Sequence, residues 1–500
     1  MNEVGFEFNR VTFALPTQSF KVTAFISTEE RLPAVTEFVL RLLHTCGQVT
    51  LTGFRDYFGF SEAEALSVIE SLDRLGYVRL VDESLALSEQ MLSKFDMSSD
   101  DFPWVTKLKK RTDIVPFDLL AFTSLRRTDF IFASDNWVKL NPAADVVGTS
   151  VARARQAYRE NFGQIERESA RSRGGERERS FGVHSIENVE ARRPNFVPLT
   201  ISLSLDQSGH LVNALPDEFE RGAKPELIRT FRERTADEFE RHVIPASNGV
   251  EEFLDLFKLD FLRPYVTGGH VDFTRFAADV KSGLTGPTGV NALFGGLYLK
   301  HNVENIASHV HKERTGINGM KKHLTSLAWA APDYAFWGRG EDFRGAVDTL
   351  GKSLKAGASG DELFIFDSSQ ERQEALVRAK YSNTGVTELH LFRPYANAGG
   401  PLENTLELML YPGRFAVAML HVQLEGFPGV RVPIGVLTKT TQHLHLIHKL
   451  LVRKLSGNRY AGRWPPKKES ANAKRPKTVI ESCGFIHYSD FGSDTTVVTN

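Results

Sequence analysis

Five of the 15 histidines fall in two short clusters, and histidine is the residue type that most directly suggests chemistry here. His309 and His311 lie in ASHVHKERTG, and His443, His445 and His448 lie in TTQHLHLIHKLL. On a strand, His-x-His places both rings on one face, whereas on a helix His445 and His448 are one turn apart. The predicted metal ligands are therefore His309, His311, His443 and His445, and the last two are also candidate catalytic residues.

A metal site needs a third ligand, and the carboxylates of Glu304 and Glu403 are candidates. The sequence identifies no cofactor beyond this hypothesis of a divalent metal. A structural role is the alternative, because the second cluster lies among leucines, where its rings would be hydrogen-bonded or exposed on the flank of a helix.

The usual signatures of nucleotide-driven and metalloprotease chemistry are absent from the sequence. It contains no G-x-x-x-x-G-K-[ST], no G-x-G-x-x-G, no H-E-x-x-H and no G-x-S-x-G. A nuclease or phosphodiesterase that uses the clustered histidines, with or without a divalent metal, is therefore the alternative interpretation and not the main one.

Composition predicts a soluble globular protein with several domains. The 500 residues are 41% apolar and 25% charged, and 61 basic against 62 acidic residues give a formal net charge of -1. Cys46 and Cys483 are too few for a disulfide framework, and no signal peptide or run of 18 apolar residues is found. We therefore expect a cytoplasmic protein with no membrane partner.

A near-neutral protein must bind a polyanion through a local patch, and the candidate patch is WVTKLKKRTD. Its Lys107, Lys109, Lys110 and Arg111 could neutralise phosphates and are the predicted DNA-binding residues. The alternative is an ordinary solvated charged segment.

The N-terminal region has the pattern of a winged helix. Apolar residues repeat with helical spacing over 35–43, VTL (49–51) is typical of a strand, and a short helix is indicated over 53–58. In FGFSEAEALSVIESLDRLGYVRLVDES, Ser61 and Glu64 predict a capping box at the start of the next helix. Two strands follow, joined at Glu83-Ser84, which gives the order helix, strand, helix, helix, hairpin.

The part of this module that would enter a DNA groove is acidic. In a helix-turn-helix, the N-terminal residues of the second helix reach the base edges. Here the helix carries Glu62, Glu64, Glu70 and Asp73, and the wing carries Asp82 and Glu83 against Arg79. We therefore expect protein contact or dimerisation, with direct groove reading as the alternative.

The fold class predicted for the whole chain is α/β and multidomain, with an N-terminal winged helix, a helical middle region and a C-terminal α/β sheet domain. The Arg- and Glu-rich stretch after residue 151 is typical of a solvated helix followed by a flexible linker. The predicted domains are residues 1–100 (winged helix), 101–195 (basic segment and Arg/Glu-rich connector), 196–335 (mostly helical) and 336–500 (α/β with a basic, Pro-rich tail).

The C-terminal segment resembles one half of a phospholipase D superfamily domain. The resemblance covers residues 355–450, through ELFIFDSSQERQEALVRAKYSNTGVTELHLFRPY and RFAVAMLHVQLEGFPGVRVPIGVLTKTTQHL. On the family pattern, His421 takes the position of the nucleophilic or acidic histidine. Gln423 replaces the lysine, Pro428 replaces the acid, and Gly435 marks a turn followed by Thr438.

The resemblance implies a relative without catalytic activity, because glutamine cannot supply the positive charge that holds the phosphoryl oxygens. Proteins that join a winged helix to such a domain resemble parts of bacterial nucleic-acid-processing or antiviral (phage) defence systems. The main hypothesis is thus a non-catalytic DNA- or protein-binding component of such a system, with protein partners expected and nucleic acid as a further candidate. A transcription regulator that senses a small molecule in the C-terminal sheet is a third hypothesis.

Overall fold

In the computed structural model, the described residues form three hydrophobic cores. We call the part built on the largest core, whose members range from Phe8 to Leu451, the body. The part built on the core from Leu32 to Phe95 is the module, and the part built on the core from Phe20 to Val189 is the arm. The structure describes residues 5–30, 32–96, 105–125, 136–173, 179–242, 249–287, 289–315, 327–355, 363–368, 388–393, 402, 405–456 and 459–464.

A single long strand, β1 (Phe6–Glu30), runs through both the body and the arm. Its 25 residues extend over about 80 Å at the usual rise of a strand. The first half pairs antiparallel with β8 (Asn195–Leu205), and the second half pairs antiparallel with β5 (Val105–Asp118) on one side and β7 (Arg179–Ala191) on the other. Residues 6–30 therefore belong to the sheet that the body and the arm share, whereas the prediction assigned them to the winged-helix domain of residues 1–100.

The module is the segment between β1 and β5, and it has a hydrophobic core of its own. Its order of helix, strand, helix, helix, hairpin is the predicted one, and its three-stranded sheet has the order β2-β4-β3. The hairpin turn is at Asp82-Glu83, one residue earlier than expected. The elements are α1 (Ala34–Cys46), β2 (Gln48–Thr50), α2 (Leu51–Phe58), α3 (Glu62–Arg74), β3 (Val78–Val81), β4 (Ser84–Leu87) and α4 (Glu89–Asp96).

The arm consists of β5, β7 and the second half of β1, covered on one face by α5 (Ala144–Glu160) and α6 (Phe162–Arg173). The prediction of a solvated helix and flexible linker was wrong here: both helices bury residues such as Tyr158 against the sheet, and residues 179–191 are a strand. Only one face of β7 is buried, so its apolar residues are spaced among charged ones and its composition resembles that of a linker.

The body contains a mixed eight-stranded sheet of order β12-β18-β17-β16-β13-β14-β15-β19, as expected for the C-terminal region. Pairs β13/β14 and β14/β15 are parallel and the others are antiparallel. The strands are β12 (Val290–Phe294), β13 (Leu327–Ala330), β14 (Leu363–Ser368), β15 (Glu388–Arg393), β16 (Leu406–Tyr411), β17 (Phe415–Gln423), β18 (Arg431–Thr438) and β19 (Arg459–Trp464).

The predicted boundary between residues 335 and 336 falls inside this one core, which also includes the first half of β1. β12 and β13 lie in the region predicted as mostly helical. Both are short, largely buried runs, and such a run does not by its periodicity distinguish a strand from a helix. The smaller elements are β6 (Val138–Lys139), β9 (Leu211–Ala214), β10 (Val266–Thr267), β11 (His270–Val271) and a 3-10 helix (Asp260–Tyr265). The helices are α7 (Asp217–Gly222), α8 (Pro225–Arg241), α9 (Val250–Phe257), α10 (Phe273–Lys281), α11 (Lys300–Thr315), α12 (Glu341–Lys355) and α13 (Thr441–Ser456).

Within the described part of the chain, no helix combines the length and the apolar content that crossing a bilayer requires.

Candidate functional site

The exposed side of α3 carries a line of carboxylates with one leucine in it. Glu62, Leu66, Glu70 and Asp73 have the spacing i, i+4, i+8 and i+11, which places them on one side of the helix. All four are exposed, and Leu66 keeps 50% of its surface accessible. We call these four residues the acidic ridge; it borders the side of α3 that packs into the module core through Ala65, Ile69 and Leu72.

The N-terminus of α3 is occupied by its own capping box, as predicted. The Ser61 hydroxyl accepts a hydrogen bond from the Glu64 N–H at 3.3 Å. The Glu64 carboxylate accepts one from the Ser61 N–H at 2.9 Å and one from its hydroxyl at 2.8 Å. These bonds lower the pKa of Glu64, so the carboxylate stays ionised. A helix end that satisfies its donors in this way and carries a negative charge is a poor site for phosphate.

The hairpin tip adds two more exposed carboxylates to those of the acidic ridge. Asp82 and Glu83 form the two-residue turn, both with left-handed backbone (φ 45° and 61°), and both are exposed. On β3, Arg79 lies 3.8 Å from Glu89, so its charge is partly compensated, and neighbouring Leu80 is exposed. The turn, the acidic ridge and β3 thus expose the same residue types on the module, namely carboxylates with leucines among them.

The predicted basic cluster lies on β5, where alternate residues point to opposite faces of the sheet. Lys110 points to the open face: its Nζ is 2.6 Å from Glu187 Oε2 and lies over the ring of Phe25. Lys107, Lys109 and Arg111 have the opposite parity. The cluster is therefore not the single patch that the sequence suggested.

Arg111 is committed to the arm core. Its guanidinium is 2.8 Å from Asp113 and 3.5 Å from Glu166, and it lies over the ring of Phe162. The Tyr158 hydroxyl donates to Asp113 Oδ2, the same oxygen, at 2.7 Å, and burial with this contact raises the pKa of Tyr158. Arg111 thus takes part in a structural network, while Lys107 and Lys109 remain exposed.

The histidine clusters lie on helices. His309 and His311 are two residues apart on α11, so their rings diverge by roughly 200°. His309 Nδ1 is 2.9 Å from the Asn305 carbonyl. Both ring nitrogens of His443 are bonded: Nε2 is 2.7 Å from the Phe257 carbonyl and Nδ1 is 2.9 Å from the Thr438 hydroxyl.

No third ligand joins these histidines in what the structure describes. Over the described ranges there is no group of three or more His, Cys, Asp or Glu side chains that could hold a metal ion. Glu403 lies outside these ranges, and His445 lies on α13 two residues from His443. The structure does not bring the two predicted clusters together as one ligand set.

His421 and Glu407 lie within ion-pair distance of each other and are both buried; the sequence analysis missed Glu407. His421 Nε2 is 2.7 Å from Glu407 Oε2, and the other carboxylate oxygen accepts the Trp329 indole N–H at 2.8 Å. Both side chains are 0% exposed. The signal for Glu407 was a single charged residue within an otherwise apolar strand, LELMLY, where a buried charge needs a partner.

Further charged groups lie at this end of the sheet. The Lys454 ammonium donates to the carbonyls of Ala331 at 2.7 Å and Leu406 at 3.4 Å, and burial lowers its pKa to about 8. Arg431 donates to the Asp333 carbonyl at 3.3 Å, and burial lowers its pKa. A carboxylate–imidazole pair can orient a general base. Here the enclosure of both side chains prevents contact with a dissolved substrate, and the pair links β16 to β17.

Gly435 does not have the position that the phospholipase D pattern implies. It lies within β18 opposite Met419, not in a turn, and its Cα is so close to the Ala418 carbonyl that a side chain would collide with it. Gln423 ends β17, and Pro428 lies in the loop before β18. Glycine is therefore required for sheet packing at residue 435.

Comparison with known proteins adds little to this geometry. No family model matches the sequence, and no curated protein matches it. Among solved structures, one similar chain is TrmBL2, described as an archaeal chromatin protein with a novel mode of DNA binding. Identity is 13%, the match covers 48% of this chain and 72% of that chain, and the TM-score is 0.21. A likeness at this TM-score carries no argument about fold or function.

Proposed function

We propose that this chain is a binding protein whose N-terminal module, a winged helix by element order and strand pairing, engages a protein partner with a basic surface. The supporting observations are the acidic ridge of α3 and the exposed carboxylates of the Asp82-Glu83 turn. This surface lies where a winged helix that reads DNA would need positive charge.

The chemistry of the ridge favours a protein over DNA. Each carboxylate near a phosphate adds repulsion, and Glu62, Glu70 and Asp73 are all exposed along one side of α3. A protein partner can instead place lysines or arginines opposite them. Such rim ion pairs contribute about 0.2–1 kcal/mol each, and they mainly steer association and set orientation.

Leu66 supplies the apolar contact at the centre of the ridge. Burying a leucine side chain completely contributes about 1.5–3 kcal/mol, more than any one exposed ion pair. The expected partner surface is therefore an apolar pocket surrounded by lysine or arginine, or a basic amphipathic helix.

The DNA alternative is tested by fluorescence anisotropy with a labelled duplex at several salt concentrations. We expect wild type to bind weakly, with a shallow salt slope. The variant Glu62→Lys/Glu70→Lys/Asp73→Lys should bind at least tenfold more tightly, with a slope steeper by about three, because each added lysine can neutralise one phosphate.

A control variant with three lysines on α8 of the body, Glu226→Lys/Glu233→Lys/Glu240→Lys, has the same net charge change on exposed residues. It should gain less affinity than the module variant. Wild-type binding with a slope that implies about eight phosphate contacts would refute the proposal.

The protein partner is tested with a photo-crosslinking amino acid in place of Leu66 in the full chain, in cells. We expect a defined polypeptide adduct that disappears when the three ridge carboxylates are reversed. The matched control places the same group at Ser71, which is exposed on another side of α3. Adducts to nucleic acid, or polypeptide adducts that persist after charge reversal, would contradict the proposal.

A further inference from the structure

A second surface of the module is apolar and lies on a different helix. On α1, Val35, Phe38 and Leu42 follow the spacing i, i+3, i+7, and the opposite side of the helix is buried in the module core. Phe38 is 61% exposed and Val35 is 48% exposed, while Leu42 is half-buried. We call these three residues the α1 stripe.

One flank of the α1 stripe carries a pair of opposite charges. Glu37 lies in the first turn of α1 and Arg41 one turn later, with 3.1 Å between their charged groups. Both lie on the same side of the α1 stripe in the helical projection. Negative charge near the start of the helix and positive charge one turn later give this flank a polarity along the axis.

That polarity makes the surface complementary to itself. When two identical helices pack antiparallel about a two-fold axis, the same flank of each helix meets and the direction is reversed. Glu37 of one copy then lies near Arg41 of the other, and Phe38 packs against Leu42. A parallel two-fold arrangement would instead place this flank of one helix against the other flank of its partner, so Glu37 and Arg41 would not meet across the axis.

We propose that α1 is a homodimer contact, with the α1 stripe of one copy packed antiparallel on the α1 stripe of a second copy. The occupant is a second copy because the charge pattern matches its own reverse. A 13-residue helix is about 20 Å long, so the interface is small. We expect a reversible dimer with a dissociation constant on the order of 10 µM.

Sedimentation equilibrium of the full chain over a range of concentrations tests the dimer. Wild type should associate, and Phe38→Asp should weaken association at least tenfold. Tyr57→Asp is the matched control, because Tyr57 is a 69% exposed aromatic on α2 and not part of the α1 stripe. Hydrogen exchange at the amides of α1 checks that each variant module remains folded.

Charge exchange tests the antiparallel register. Glu37→Arg alone and Arg41→Glu alone should each weaken the homodimer, because like charges then meet across the two-fold axis. The double exchange should restore association, and an equimolar mixture of the two single variants should form a heterodimer.

A wild-type chain that stays monomeric at all concentrations overturns the proposal, as does a dimer that Phe38→Asp leaves intact. Failure of the double exchange to restore association overturns it as well. None of these measurements depends on the acidic ridge, so this proposal and the proposed function fail separately.

Discussion

Replacing the buried pair Glu407–His421 one residue at a time and then together is the perturbation with the clearest expected outcome. The variants are Glu407→Leu, His421→Leu and the double variant. Leucine fills most of the space of either side chain and forms no hydrogen bonds, so the differences report mainly on polar pairing.

Each single variant leaves its partner buried without a counterpart. In Glu407→Leu, both the His421 Nε2 and the Trp329 indole N–H lose their hydrogen-bond partner. In His421→Leu, a fully enclosed carboxylate keeps one of its two bonds to side chains. Breaking a buried pair from one side costs about 3–5 kcal/mol.

The double variant removes both charged partners and leaves only the Trp329 N–H without its acceptor, at a cost of about 1–3 kcal/mol. The two single changes should therefore be strongly non-additive, with a coupling energy of at least about 3 kcal/mol. For a domain of this size, each kcal/mol shifts the midpoint by about 2–4 °C, so single variants should lose about 10 °C and the double variant less than either.

Thermal unfolding followed by tryptophan fluorescence suits this experiment, because Trp329 contacts the pair directly. Hydrogen exchange of the β16 and β17 amides shows whether the loss is local to these strands. Additive single effects, or a double variant less stable than both single variants, would refute the view that the two residues are held in place by each other.

Other predictions test different contacts of the structure. Lys454→Met should remove a rise in stability with pH. The pKa of Lys454 is about 8 in the folded protein against 10.5 normally, so the unfolded chain holds this proton more strongly. The free energy of unfolding of the wild type should therefore increase from pH 8 to 10.5 by an amount on the order of 3 kcal/mol. Denaturation curves of the wild type and of the variant, compared across this pH range, measure the difference. Ser61→Ala should destabilise the module by about 1 kcal/mol by removing the capping box with Glu64, seen as faster hydrogen exchange in α3; unchanged exchange would contradict this. Gly429→Ala should strongly destabilise the body, because φ is 79° and the added Cβ collides with the Phe239 carbonyl; an unchanged melting temperature would show that this loop can move.

The module could be predicted from the sequence because its signals are local. The capping box joins Ser61 to a residue three positions away, and the hairpin joins strands separated by two residues. Periodicity and caps are legible within a window of a dozen residues. The acidic ridge is equally local, since its members lie on one helix.

The arm could not be predicted because its stability depends on distant residues. Arg111 contacts Glu166, 55 positions away, and Tyr158 contacts Asp113, 45 positions away. Read alone, 105–118 is a basic segment and 179–191 a polar one. Pairing with β1 makes both of them strands, and long-range pairing leaves no trace in local composition.

Buried polar pairs were also beyond sequence reasoning. The phospholipase D pattern places the residues that act with His421 two and seven positions after it, whereas Glu407 precedes it by 14 residues on the adjacent strand. Antiparallel register determines which residues meet, and one shift of register would move Glu407 to the other face of the sheet.

The separation of the three cores bears on how the proposed binding surfaces work. Module and body have distinct sets of buried apolar residues, and the chain between them runs through the arm along β1 and β5. α1 and α3 pack in a different core from the one that surrounds the Glu407–His421 pair, so the effects of substitutions on stability should add. Each proposed surface is also built on a regular helix anchored in the module core, so its side-chain spacing is set before any partner arrives. The affinity of the module for a partner should therefore be governed by the charges and leucines on α1 and α3, and it should persist in a Glu407→Leu/His421→Leu chain at temperatures where the body is still folded.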